Sequence, residues 1–129
     1  MKFAIQVNSS PYHCNAGHSA YLFIKAALVQ NHDIFRVFFY HDGIYHAFKH
    51  STPPDDEQQL TTLWSKLAQQ YPIDLVVCIS AAQRRGLLHA DEASRQGKLD
   101  NDLAAGFRIS GLGQLVEATL VTDRLIVFG

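Results

Sequence analysis

Ile73-Asp74-Leu75-Val76-Val77-Cys78-Ile79-Ser80-Ala81-Ala82 is the stretch that decides the fold. Its first half is a short, β-branched apolar run, the pattern of a strand buried on both faces in a parallel sheet. Ser80 then stands where an N-cap belongs, ahead of a helical segment over 81–85 that Gly86 closes. A strand passing straight into a helix puts the Cys78 thiol at the carboxyl end of the strand, the edge where open α/β sheets carry their chemistry. Backbone N–H groups and the helix dipole at such a place favour the thiolate, which is the nucleophilic form. The competing reading is structural, because free cysteine also behaves as a small buried hydrophobe.

Outward from this stretch, apolar periodicity switches repeatedly between strand and helix. Lys2–Val7 reads as a first strand, and 34–40 as a second that is almost wholly apolar and therefore central. Between them Ala20, Phe23, Ile24, Ala27 and Leu28 recur at helical spacing within 19–30. Thr52, Pro53 and the acidic Asp55, Asp56 and Glu57 form a helix start. Leu60, Leu63, Trp64, Leu67 and Tyr71 supply that helix's buried stripe, and Pro72 stops it. A further short helix is expected over 91–96, then a strand at Phe107–Ser110, a helix over 112–121 and a strand at Arg124–Phe128. The expected fold is α/β: a single domain over 1–129, with three layers (α/β/α) and a mostly parallel five-stranded sheet. The loops after the strands, 8–17, 41–54, 78–89 and the Ser110 turn, gather at one edge and build the site there.

Composition bounds the function. With 129 residues, 47% of them hydrophobic and 18% charged, the chain is globular and has room for one core. A net charge of −1 excludes a surface built as a whole for nucleic acid. No stretch approaches the roughly 20 apolar residues of a membrane span, and the first residues lack a secretion signal's pattern. Two cysteines, Cys14 and Cys78, are too few for a disulfide framework. The expectation is a cytoplasmic protein with reduced thiols, in which a cysteine is a candidate for catalysis.

Four other patterns compete for a role. Ser110-Gly111-Leu112-Gly113-Gln114-Leu115-Val116 begins like a dinucleotide fingerprint. Val116 replaces its third glycine, however, and no acidic residue follows in a second βαβ unit, so the glycines are expected to let the helix start pack closely on the sheet. His13, Cys14 and His18, with His41, His46 and His50 in another loop, match no zinc spacing and read as solvated or partner-facing histidines. Arg84-Arg85 either holds an anion or is an ordinary solvated helix face. Phe39, Tyr40, Ile44, Tyr45 and Phe48 form an aromatic cluster that suits a subunit interface or a satellite core beneath the loop.

Several of these segments together resemble one family. They are Lys2-Phe3-Ala4-Ile5, the turn Val37-Phe38-Phe39-Tyr40-x-Asp42-Gly43-x-Tyr45, the block Cys78-x-x-Ala81-Ala82-x-Arg84-Arg85-Gly86, and Gly106-Phe107-x-x-Ser110-Gly111-Leu112-Gly113-x-Leu115-x-Glu117-Ala118. In this order they resemble the DsrE/TusD family of sulfur-relay proteins over essentially the whole chain. The resemblance implies a sulfurtransferase subunit in which Cys78 carries sulfane sulfur as a persulfide, with no metal and no organic cofactor. It implies TusB-like and TusC-like sister subunits in a heterohexamer, a TusA-like donor and a TusE-like acceptor, and delivery toward 2-thiolation of tRNA wobble uridine without direct contact to nucleic acid or membrane. Cys14 is no part of the family's mechanism and is expected to be incidental. The alternatives are a non-catalytic partner subunit of the same fold, a relay subunit of sulfur oxidation, and a flavodoxin-like ligand-binding module.

Overall fold

The computed structural model describes residues 1–57, 59–88, 95 and 102–129. Five strands, β1 (Lys2–Val7), β2 (Asp33–Phe39), β3 (Asp74–Cys78), β4 (Phe107–Ser110) and β5 (Arg124–Phe128), form one sheet in the order β4-β3-β2-β1-β5. Every pairing is parallel, which sharpens the expected mostly parallel sheet to an all-parallel one. Among the described residues four helices cross over between strands: α1 (Ala16–Val29), α2 (Leu60–Gln70), α3 (Ile79–Arg84) and α4 (Gly113–Val121).

Side-chain alternation on β2 shows that both faces are covered. Phe39 points to one face and meets the Trp64 ring of α2, whose other edge meets Tyr21 of α1. Arg36, of opposite parity, reaches α4 through the Gln114 carbonyl and the Glu117 carboxylate. Val37, Phe38 and Phe39 are all fully buried, as a strand between two helical layers requires. The same Arg36 bonds Asp74, which also takes two hydrogen bonds from Arg108, so one carboxylate ties β2, β3 and β4 together under α4.

Three expected boundaries differ. α2 begins at Leu60, not at Pro53. A residue before proline is pushed out of the helical region, so Pro53 ahead of Pro54 cannot lie in a first turn, and Thr52 bonds back to the His50 carbonyl. α1 starts at Ala16, earlier than the apolar spacing from 19 onward suggested. Ser80 is not the cap of α3, because Cys78 itself holds the N-cap position with extended backbone angles and Ser80 lies inside the helix. The short helix expected over 91–96 lies outside the described residues, save Arg95.

The loop after β2 is more ordered than a lid. His41–Ala47 forms a 3-10 turn whose Gly43, Ile44, His46 and Ala47 are buried. A Cβ on Gly43 would meet the Val7 carbonyl oxygen at 2.0 Å, so only glycine allows the turn to lie so close to the end of β1. Of the two readings of the aromatic cluster, a satellite core fits this turn: Ile44 is fully buried and Phe48 is partly buried against the core.

Candidate functional site

The carboxyl edge of the sheet carries both thiols, in opposite settings. Cys78 is the last residue of β3, level with Ser110 at the end of β4, and the apolar run before it puts it in the hydrophobic core at 1% exposure. The chain turns at once into α3, whose end is closed by a Schellman motif. There the Leu87 N–H donates to the Ala82 carbonyl, the Gly86 N–H donates to the Gln83 carbonyl, and Gly86 takes a φ of +79°. The strand-end placement of Cys78 matches the sequence reading. The thiol itself is covered, as the competing reading of a small buried hydrophobe has it.

Cys14 has the exposure that Cys78 lacks. It precedes α1, and its thiol pKa is lowered, first by the backbone N–H of Ala16 and then by the Ser9 hydroxyl. Both effects favour the anion. Cys14 also lines an open pocket of about 640 Å³ together with Tyr12, His13, His18 and Glu57. Cys78 is not in the wall of this pocket. The sequence carried one signal for this environment: Asn15 is a capping residue type, and a helix starting after it would have set Cys14 at a helix N-terminus.

The two loops behind these thiols are held by a histidine that spacing alone could not place. His46 is fully buried. The Trp64 Nε1–H donates to its Nδ1 at 3.1 Å, so the ring's proton sits on Nε2, which donates to the Ser9 carbonyl at 3.1 Å. Burial, which penalises the charged ring, drives its pKa from 6.5 to about 4, against a smaller opposing effect of the Ser9 carbonyl. His46 is thus a neutral core ligand of α2 and the β1–α1 loop, and not the solvated histidine expected. Gly17 packs against it, where a Cβ would come within 2.2 Å of the ring.

Arg84 and Arg85 part company. Arg85 forks onto Asp42 of the 3-10 turn, through Nε at 3.0 Å and Nη2 at 2.9 Å, and its Nη1 donates to the Ala81 carbonyl. Arg84 is exposed and makes no hydrogen bond or ion pair with the described residues. Nothing lies within 4 Å of where a Cβ would sit on Gly111 or Gly113, so close packing of the helix start is not why these glycines are there. Among the described residues no three histidine, cysteine or acidic side chains converge on a metal position, and no helix is long and apolar enough to cross a membrane.

The sheet is thus an all-parallel α/β one, with a cysteine closing an inner strand and a second thiol at the same edge. The chain belongs to the DsrE/DsrF-like family, whose model it matches over residues 1–128. It is 55% identical over 129 residues to DsrE of Allochromatium vinosum, covering 100% of this chain and 99% of that protein. It is 45% identical over 129 residues to a protein of Pseudomonas aeruginosa named sulfurtransferase TusD homolog, covering 100% and 98%. The protein of that name in Vibrio parahaemolyticus is 41% identical over 128 residues, covering 99% and 98%. In fold it resembles the ychN protein of E. coli, with a TM-score of 0.81, 19% identity and 99% coverage of both chains. By class the chain is a sulfurtransferase.

Proposed function

We propose that Cys78 carries sulfane sulfur as a persulfide between a donor and an acceptor protein. The observation that carries this reading is its position, closing β3 and capping α3 at the carboxyl edge of the sheet. In the first step the Cys78 thiolate attacks the outer sulfur of the donor's persulfide. A new S–S bond forms on Cys78, the donor's S–S bond breaks, and the donor leaves as a thiolate that takes the displaced electron pair and then a proton. The acceptor's thiolate repeats the attack on the outer sulfur now held by Cys78, and Cys78 is the leaving thiolate. Sulfur moves with no net oxidation, so the cycle needs neither metal nor organic cofactor.

The setting proposed is a heterohexamer with TusB-like and TusC-like subunits in the cytoplasm. A TusA-like protein donates, a TusE-like protein accepts, and the sulfur ends in 2-thiolation of the tRNA wobble uridine. A second destination is a relay of sulfur oxidation. Both destinations share the chemistry at Cys78. Loss of 2-thiouridine from tRNA on deleting the chain in its own host supports the first, and normal 2-thiouridine there supports the second.

A second carrier, Cys14, is favoured by its exposure and by the Ala16 and Ser9 donors that stabilise its thiolate. Mass analysis of protein treated with a persulfide donor tests both thiols. Sulfur added at Cys78, about 32 Da heavier, with transfer lost in Cys78→Ser and kept in Cys14→Ser, is the expected result. Sulfur confined to Cys14, with transfer kept in Cys78→Ser, overturns the proposal.

A further inference from the structure

Side-chain alternation along β3 sets Asp74, Val76 and Cys78 on one face of the sheet. Asp74 shows which face it is, because it bonds Arg36 and Arg108 beneath α4. On β4 Arg108 and Ser110 share that parity, and the register sets Ser110 level with Cys78. Neighbouring strands lie about 4.8 Å apart, so a hydroxyl and a thiol that each stand one atom beyond Cβ are within mutual reach. We propose that the Ser110 hydroxyl donates a hydrogen bond to the Cys78 sulfur whenever that sulfur is a thiolate, in the attack and again when it leaves. The proposal rests on the reading of Cys78 as the sulfur carrier.

Neither group is engaged elsewhere. Serine ahead of a helix ordinarily caps it. At α4 the cap position falls instead to Leu112, no side chain caps, and the Gln114 N–H donates to the Gly111 carbonyl. Cys78 holds the cap position of α3, and its sulfur accepts no N–H there. Among the described residues neither Ser110 Oγ nor Cys78 Sγ makes a hydrogen bond. A neutral thiol is a weak acceptor, so the pair has no need to meet until the sulfur is ionised. On the other side of Cys78, Tyr40 follows β2 and packs its ring against Phe38 and His41, with its hydroxyl at the far end of the ring. The row beneath the thiol is Val76 and Phe38, apolar and fully buried. An ionised sulfur in such surroundings is costly without a donor, and a hydroxyl rotor on a fixed strand end supplies one. Ser110 keeps its own proton throughout: the bond forms as charge gathers on sulfur and relaxes when the new S–S bond takes that charge up.

The test uses the Cys14→Ser protein, in which Cys78 is the one remaining thiol, and a neutral alkylating reagent at fixed pH, with the modified fraction followed by mass. Ser110→Ala is expected to slow alkylation roughly tenfold, the lower end for one hydrogen bond to a charged group. Ser110→Thr, which keeps the hydroxyl, is expected to hold the parent rate. Direction separates this from a structural role. Trimming an atom beside a buried thiol opens it, so a serine that merely filled space would give faster labelling in Ser110→Ala. A Ser110→Ala rate equal to or above the parent's, or a Ser110→Thr rate as low as that of Ser110→Ala, overturns the proposal. Loading from inorganic polysulfide, read as about 32 Da added at Cys78, should slow by the same factor in Ser110→Ala. Alkylation needs no sulfur transfer, so a Cys78 that labels as expected but takes up no sulfur leaves the Ser110 bond standing and refutes the carrier reading.

Discussion

Lowering the pH from 7 to 4 titrates His46 in the unfolded chain while the folded chain resists, and the consequence for stability follows from the site's geometry. In the fold the ring is neutral, with Nδ1 accepting from Trp64 and Nε2 donating to Ser9. Protonating it would charge a fully buried group and remove the only acceptor that Trp64 Nε1 has there. Its pKa falls accordingly from 6.5 to about 4, with desolvation the larger cause. A depressed pKa means that the contribution is fully present above 6.5 and is lost as pH falls through the window down to about 4. A displacement of that size corresponds to roughly 3 kcal/mol at the low end of the window. Asp74 does not confuse the reading. Burial alone would raise its pKa, but the Arg108 and Arg36 hydrogen bonds outweigh this and hold it below 3.8, so its own contribution is lost only below the window.

The assay is urea unfolding at several pH values, comparing wild type with His46→Gln, which has an amide for both hydrogen bonds and no titration. At pH 7 the variant is expected to be less stable by about 1–3 kcal/mol, from imperfect bonds in a buried position. Between pH 7 and 4 wild type should lose roughly 3 kcal/mol more than the variant does, so the two curves converge. Every other group is common to the two proteins, so the difference between the curves isolates position 46. Parallel curves across the window would refute the argument, because they would mean that the folded ring protonates as easily as the unfolded one.

Gly17→Ala drives a Cβ to 2.2 Å from the locked His46 ring and should destabilise the protein by about 1–3 kcal/mol, read as a lower urea midpoint. Gly113→Ala meets nothing and stands at the first residue of α4, so a midpoint unchanged or raised by up to about 1 kcal/mol is expected, and a loss would show that the glycine is needed. Asp74→Asn leaves the Arg36 guanidinium, buried at 7% side-chain exposure, without its closest carboxylate, and should cost about 3 kcal/mol in the same assay.

The apolar runs carried the fold. Val76-Val77 and Val37-Phe38-Phe39 could only be strands buried on both faces, and each lies where it was read because burial of a parallel sheet writes itself into consecutive residues. Helix ends were legible where chemistry marks them, as at Gly86, and misread where two signals conflicted, as at Pro53-Pro54. The candidate site was legible only as a position. That Cys78 ends a strand is local information, whereas its burial in the core depends on how distant elements pack around it. The Arg85–Asp42 fork, the Trp64–His46–Ser9 chain and the pocket at Cys14 are all contacts of this distant kind, and no spacing pattern records them.

The contrast between the two thiols orders the chemistry. Thiol exchange rewards a nucleophile that is both ionised and reachable. Cys14 is exposed and its thiol pKa is lowered, yet an exposed thiol is open to any oxidant or disulfide in solution. Cys78, buried in the core, would keep a persulfide from such losses, and requires in exchange that access be given by the proteins it serves. A relay that must hand sulfur to one partner and to no small molecule is better carried on the covered thiol.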